Sequence, residues 1–167
     1  MFFNVLKAKI KKIDRLLTQW LINKVNSSYF VYGDRARLSI SSTAEVNNAT
    51  FNLSSGDVKI EEYAFFGHNV SVLTGTHDYR KFDLLRQKDV EVFGRDIVVK
   101  KGAWIASNAT VIGPCTIGEH AVVAACSLVN SDVPSFSIVA GIPAKVIGKV
   151  APFEENTATK NVYVRKP

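Results

Sequence analysis

Three histidines, His68, His77 and His120, are the side chains best suited to moving a proton near neutral pH. An unperturbed imidazole titrates near ~6.5. A hydroxyl attacks an acyl group efficiently only if a base removes its proton as it attacks. His77 closes the run Val72-Leu73-Thr74-Gly75-Thr76-His77, where regular sequence gives way to a charged stretch. His68 and His120 fall inside regular sequence, where exposed corner positions account for them. The three histidines have no spacing that argues for a metal. Cys115 and Cys126 form neither a CxxC pair nor a metal-ligand pattern, so both are expected to be small buried thiols.

The element that must position His77 emerges from a repeat of six. Val99, Ile105, Val111, Ile117, Val123 and Val129 follow one another without a slip. Four residues after each stand Ala103, Ala109, Cys115, Ala121, Ser127 and Val133, all small or modest. Ile60, Phe66 and Val72 continue the series backward, with Ala64, Val70 and Thr76 in the second slot. Ile40 and Val46 continue it further, with Ala44 and Thr50, after a phase slip of two near Ser54-Ser55-Gly56-Asp57. A period of six fits neither an amphipathic helix nor an alternating strand. It fits an all-β solenoid of triangular coils, each with three short strands, whose bulky residues point inward. About five coils are expected, each burying its core only against its neighbours.

Two segments break the repeat. Residues 78–96, DYRKFDLLRQKDVEVFGRD, have no six-residue period, and their charge density reads as an exposed excursion between coils. Residues 2–24 place Phe2, Phe3, Leu6, Ile10, Ile13, Leu17, Trp20 and Leu21 on one helical stripe, with Lys11, Lys12, Arg15, Thr18 and Gln19 away from it. The formal net charge of +6 is concentrated there, since residues 1–24 hold six basic groups and one acid, Asp14. A basic amphipathic helix suits either an anionic membrane surface or the capping of a solenoid end. No nucleic-acid motif accompanies it. The start lacks the pattern of a signal peptide, and no run of about 18 apolar residues occurs, so a cytoplasmic protein is expected. The organisation read from the sequence is a helical arm over 1–30, a solenoid over 31–150 and a tail over 151–167.

Within this frame, residues 69–77 (NVSVLTGTH) resemble the segment bearing the catalytic histidine in hexapeptide-repeat acetyltransferases of the galactoside and maltose group. Residues 102–108 (GAWIASN), 125–134 (ACSLVNSDVP) and 141–147 (GIPAKVI) are similar to three further stretches of that family. The resemblance spans about residues 31–149. It implies a left-handed parallel β-helix, a homotrimer with sites in the clefts between copies, and acetyl-CoA as acyl donor without an acyl-enzyme or a metal. By the same resemblance His77 matches the general base, and Trp104 an aromatic residue lining the cleft. Ser107 matches a contact near the thioester, Ala125 and Asn130 match contacts to the pantetheine arm, and Lys145 faces the CoA phosphates. Asn47 matches an acceptor-binding asparagine. Ser131 and Gly148 stand where the family often has basic residues, and Lys149 is a candidate substitute.

The expected function is therefore transfer of an acetyl group from acetyl-CoA to a hydroxyl of a carbohydrate, in surface polysaccharide or lipopolysaccharide biosynthesis. The basic arm would meet a lipid-linked acceptor at the inner membrane face. Two other readings stand beside it: N-acetylation of an amino-sugar nucleotide, and a non-catalytic solenoid scaffold. Packing against a neighbouring subunit accounts for Trp104 nearly as well as cofactor contact does. Ser107 and Asn130 are also ordinary corner residues of a β-solenoid.

Overall fold

The computed structural model describes residues 11, 13–21 and 28–151. The amino-terminal part of the expected arm and the tail beyond 151 lie outside the described residues. Residues 13–21 are helical. From there the chain runs through β1 (Phe30–Tyr32), β2 (Leu38–Ile40), β3 (Thr50–Asn52), β4 (Val58–Ile60), β5 (Phe65–Phe66), β6 (Ser71–Leu73) and β7 (Ile97–Val99). It continues through β8 (Trp104–Ile105), β9 (Thr110–Ile112), β10 (Cys115–Ile117), β11 (Val122–Val123), β12 (Leu128–Val129), β13 (Ser137–Gly141) and β14 (Ala144–Lys149).

These strands build three sheets, ordered β1-β3-β6-β9-β12, β10-β7-β4-β2 and β14-β13-β11-β8-β5. Every pairing is parallel except β13 with β14, which folds back antiparallel and covers one end of the third sheet. The chain visits the sheets in rotation, so each backbone segment pairs with its counterparts one turn before and after. In register along the first sheet lie Val31, Phe51, Val72, Val111 and Val129. Along the second lie Ile40, Ile60, Val99 and Ile117, and along the third Phe66, Ile105, Val123 and Val139. All of these except Val31 and Ile40, in the first turn, are buried, and they form one continuous core. The six-residue series of the sequence is this core.

The second-slot residues Ala64, Ala103, Ala109 and Ala121 are fully buried at the corners, where a larger side chain would have no room. The expectation fails at two places. Ala49 rather than Thr50, and Thr74 rather than Thr76, fill the buried slot. The phase slip is the sum of two irregularities. The step from Val46 to the next inward residue, Phe51, is short, and the step from Phe51 to Ile60 is long, with Leu53 and Ser55 also buried between them.

That long step falls at the corner between the first and second sheets, and the same corner emits the excursion. There the chain leaves β6 after Leu73 and returns at Ile97, where the next turn passes directly from Val111 to Ile117. Gly56 and Gly113 flank the point of return. A Cβ on Gly56 would lie 2.4 Å from the Arg95 carbonyl carbon, and one on Gly113 would lie 2.2 Å from the Arg95 oxygen. Only glycine lets the returning backbone pass between the turns above and below.

The other two corners are stacks of left-handed residues. Asn69, Asn108 and Cys126 have φ of 57°, 60° and 59°, and Tyr63, Gly102, His120 and Phe136 have φ of 57°, 65°, 52° and 56°. Asparagine tolerates this region well. Asn48, Asn69 and Asn108 also bond one another in a ladder that ties successive turns together.

The inward register gives a direct test. Val111 is fully buried in the middle of the first sheet. Val111→Asp is expected to cost about 3–5 kcal/mol, because it buries a charge without a partner, and to collapse the thermal transition followed by circular dichroism. Thr110→Asp, one residue away on the outward face, is expected to be tolerated. A Val111→Asp protein as stable as the parent would disprove the register.

Candidate active site

His77 sits in the first stretch of the excursion, exposed, beyond the buried Thr74. Thr74 anchors the departure point. Its hydroxyl donates to the Asn52 carbonyl at 2.8 Å and accepts from Ser55 N–H at 3.1 Å, and its carbonyl accepts from Arg95 Nε at 2.8 Å. Departure and return of the loop are thus fastened to each other and to the solenoid. The imidazole is oriented from the far side of the loop, where Nδ1 lies 2.8 Å from the Arg86 carbonyl oxygen. A carbonyl can only accept, so Nδ1 carries the proton and Nε2 of the neutral ring is left with the basic lone pair.

His77 lines an open concavity of about 540 Å³ with Tyr79, Asp78, Arg80, Lys81, Asp89, Glu91 and Arg95. Apart from His77, its ionisable groups balance, three cations against three anions among Arg80, Lys81, Arg95, Asp78, Asp89 and Glu91. Arg80 clasps Asp78 through Nε at 2.9 Å and through its second nitrogen at 3.0 Å, which holds that carboxyl down at about 2. Asp78 is therefore a fixed anion at any ordinary pH and not a proton donor. Asp89 pairs with Lys81 and pushes its ammonium up. The sequence pattern marked this loop as charged but singled out none of these residues. Their pairing depends on how the loop folds, which no repeat encodes.

The remaining candidates are spread over the solenoid. Trp104 lies on the outward face of β8, 43% exposed, stacked on Phe65 of β5 with ring centroids 5.6 Å apart. Ser107 lies at the corner between the third and first sheets. Its Oγ accepts from His68 N–H at 3.1 Å, so the hydroxyl hydrogen remains available to donate. Gly67 makes room for it, since a Cβ there would stand 2.4 Å from Ser107 Oγ. Asn47 occupies the same corner two turns before Ser107 and donates through Nδ2 to the Phe66 carbonyl at 2.6 Å. Ala125 is exposed at that corner one turn after Ser107. Asn130 is exposed at the corner that carries His77, after β12, and Lys145 is exposed on β14 opposite Ala140. One chain therefore groups His77 with Asn130 and, separately, Asn47 with Ser107 and Ala125, leaving Trp104 and Lys145 on the third sheet. His120 packs against Phe136 with ring centroids 5.3 Å apart and lies 3.7 Å from Glu119. His68 is an exposed corner residue. Among the described residues no group of three or more His, Cys, Asp or Glu is placed to hold a metal. No described helix is long and apolar enough to cross a membrane.

Residues 96–131 match the family model described as bacterial transferase hexapeptide (six repeats). Hexapeptide repeats are thus recognised over that stretch, and galactoside O-acetyltransferases, which the motifs resemble, are among the proteins to which the chain is similar. It is 28% identical over 141 residues to the galactoside O-acetyltransferase of Escherichia coli (strain K12), covering 82% of this chain and 63% of that one. It is 38% identical over 104 residues to serine acetyltransferase 2 of Arabidopsis thaliana, covering 62% of this chain and 30% of the relative. Both figures are below two thirds of the relative's length. An N-acyltransferase from Bacillus cereus, solved with dTDP-4-amino-4,6-dideoxyglucose and coenzyme A, superposes with a TM-score of 0.59 at 15% identity. That match covers 74% of this chain and 78% of the other, and shows the shared fold.

The two thiols differ, against the expectation that both are buried. Cys115 points inward from β10, whereas Cys126 is exposed. Cys126 takes the left-handed corner slot held by Asn108 one turn earlier, and a residue there projects away from the core. Burial, with the nearby charge of Asp132, pushes the Cys115 thiol up to about 12. Its contribution to stability is complete below the unfolded thiol value of ~8.5 and is lost as pH rises through about 12. At pH 8 a thiol reagent is expected to modify one cysteine per folded chain and the second only on unfolding. Cys126→Ser is expected to remove the fast reaction. Equal reactivity of both thiols in the folded protein would contradict the placement of Cys115.

Proposed function

We propose that this protein transfers an acetyl group from acetyl-CoA to a hydroxyl of a carbohydrate acceptor, with His77 as general base. The observation that carries the reading is the Nδ1 contact of His77 to the Arg86 carbonyl, which leaves Nε2 basic on a residue that lines a concave site. Nε2 takes the proton of the acceptor hydroxyl as its oxygen attacks the thioester carbon. The tetrahedral oxyanion collapses, the carbon–sulfur bond breaks, and the leaving thiolate recovers the proton from the imidazolium as CoA thiol. On the resemblance, Trp104 lines the cleft along the cofactor path and Ser107 contacts the cofactor near the thioester. Ala125 and Asn130 hold the pantetheine arm, Lys145 faces the phosphates with Lys149 beside it, and Asn47 meets the acceptor.

These residues lie on different corners of one chain, which suits a homotrimer of left-handed β-helices, each of about five coils. There the corner of one copy would face the outward sheet of the next. A second reading is N-acetylation of an amino-sugar nucleotide, favoured by the fold shared with the Bacillus cereus enzyme and its bound amino sugar. Hydroxyl and amine acceptors separate the two. In a thiol-release assay with acetyl-CoA, the first reading expects turnover with neutral sugars or lipid-linked oligosaccharides, and the second with amino-sugar nucleotides. His77→Ala is expected to lower turnover by roughly two to four orders of magnitude, with acetyl-CoA binding little changed. Near-normal turnover in that variant would remove His77 from the mechanism.

The reading places the enzyme in surface polysaccharide or lipopolysaccharide biosynthesis at the cytoplasmic membrane face. Ile13, Leu16, Leu17 and Leu21 are exposed along one side of the helical residues, with Lys11 and Arg15 on the other. An apolar face flanked by lysines and arginines suits an interface of anionic lipid. The full chain is expected to co-sediment with phosphatidylglycerol vesicles at low salt and to be released at high salt, and a chain lacking residues 1–24 is expected to stay in solution as a folded assembly. Absence of vesicle binding, with a truncated chain that melts lower, would assign the arm to capping the solenoid or a neighbouring copy.

A further inference from the structure

The helix Asp83–Lys88 at the heart of the excursion buries none of its residues. Packing against the core therefore does not fix it, yet its Arg86 carbonyl sets the tautomer of His77. That carbonyl lies in the last turn, where carbonyls lack partners within the helix. His77 Nδ1–H satisfies one of them. Something other than burial must hold this carbonyl in place, and the contacts converge on the side chain of the same residue. Arg86 Nε donates to the Lys81 carbonyl at 2.5 Å, and its terminal nitrogen donates to the Tyr79 carbonyl at 2.9 Å. The guanidinium carbon stands 5.0 Å from the centre of the Phe82 ring. The stretch 78–82 links His77 to the helix, so the guanidinium fastens the helix to the segment that follows His77.

We propose that Arg86 is the positioning residue of the site: its carbonyl fixes the Nδ1–H tautomer of His77, and its guanidinium locks that carbonyl by bridging the carbonyls of Tyr79 and Lys81. The assignment of His77 as base belongs to the function proposed above; the orientation of His77 by Arg86 is a separate statement about the loop. Arginine is required because its planar fork reaches two carbonyls at once while its face rests on an aromatic ring, and an ammonium supplies no such fork. Arg86 touches neither substrate nor the reacting atoms in this role.

The experiment is nitrogen NMR of the full-length protein labelled with 15N-histidine, with His77 assigned by loss of its signals in His77→Gln. In the parent, the neutral ring of His77 is expected as the Nδ1–H form. In Arg86→Ala, the Nε2–H form is expected to rise until it dominates. The turnover number is expected to fall about ten- to a hundredfold, as when the outer-shell partner of a metal-bound histidine is lost, while the Michaelis constant for acetyl-CoA holds. Millimolar guanidinium ion is expected to restore part of the parent tautomer and turnover. Arg86→Lys, which keeps the charge, is expected to behave like Arg86→Ala if the fork is what matters, and it provides a folded variant should the alanine protein be unstable. An unchanged His77 tautomer in both variants would overturn the proposal, whatever happens to turnover. A tautomer change in the Arg86 variants of a parent protein that transfers no acetyl group would uphold the positioning by Arg86 and reject the proposed function instead.

Discussion

Everything in this structure depends on successive turns returning to the same register. The inward residues Phe51, Val72, Val111 and Val129 stack at the spacing of parallel strands, and the same holds on the other two faces. A solenoid of this kind has no core other than the one its neighbouring turns provide. A turn that returned out of phase would aim its whole set of apolar side chains at solvent. Added chain must therefore leave and re-enter at one corner without disturbing the ladder. The excursion does so. It departs after Leu73 and returns at Ile97, which pairs with Val58 on one side and Cys115 on the other as though nothing intervened. Glycines at 56 and 113 make that return possible.

This constraint shapes the chemistry available to the loop. The ladder supplies a rigid base, so the first residues of the excursion inherit a fixed starting direction through Thr74 and its bonds to Asn52, Ser55 and Arg95. Beyond that point no ladder exists. The loop orders itself through polar contacts of its own: Asp78 with Arg80, Lys81 with Asp89, and Arg86 with the carbonyls of residues 79 and 81. Exposed ion pairs each contribute little, on the order of 0–1 kcal/mol. Several of them around one short helix, joined by bonds to backbone carbonyls, restrict the geometry more than any single pair would. Arg37 adds a tether from the first turn. It donates to Asp57 and to the Val92 carbonyl, and its guanidinium lies 5.3 Å from the Phe93 ring centre.

The solenoid was legible because it is periodic. A residue such as Val111 is inward for the same reason as Ile105 and Ile117, so one rule reads many positions. Legibility weakened where the period broke. Ala49 takes the buried slot expected for Thr50 because the turn containing Phe51 gains and loses residues at different corners and only the net slip shows in the sequence; Thr74 takes that expected for Thr76 because the chain leaves the ladder after Leu73. Cys126 was misread as buried because a corner slot follows the left-handed backbone and not the hydrophobic pattern. His77 stood out by its place at the end of a repeat, and the resemblance of its segment strengthened it. Its partner did not stand out. A backbone carbonyl has no residue signature, and Arg86 reads in sequence as one more charge on a charged loop.

The distribution of candidate residues also has a physical logic. In a single chain, His77 and Ser107 lie at different corners of a triangular prism whose interior is solid with side chains. No ligand can pass through that core to reach both. If both act on one substrate, as the proposed function requires, the two corners must belong to different copies set side by side. The outward faces are suited to such an approach. Phe65 and Trp104 form an exposed aromatic pair on the third sheet, and Phe30 and Tyr32 are exposed at the start of the first. Aromatic side chains left in water on flat β-faces gain most from burial against another surface. A rigid prism with the His77 loop at one corner and an exposed aromatic pair on the opposite face favours joining corner to face. Such an arrangement would create a cleft with His77 and Asn130 on one wall and Trp104 and Ser107 of another copy on the other.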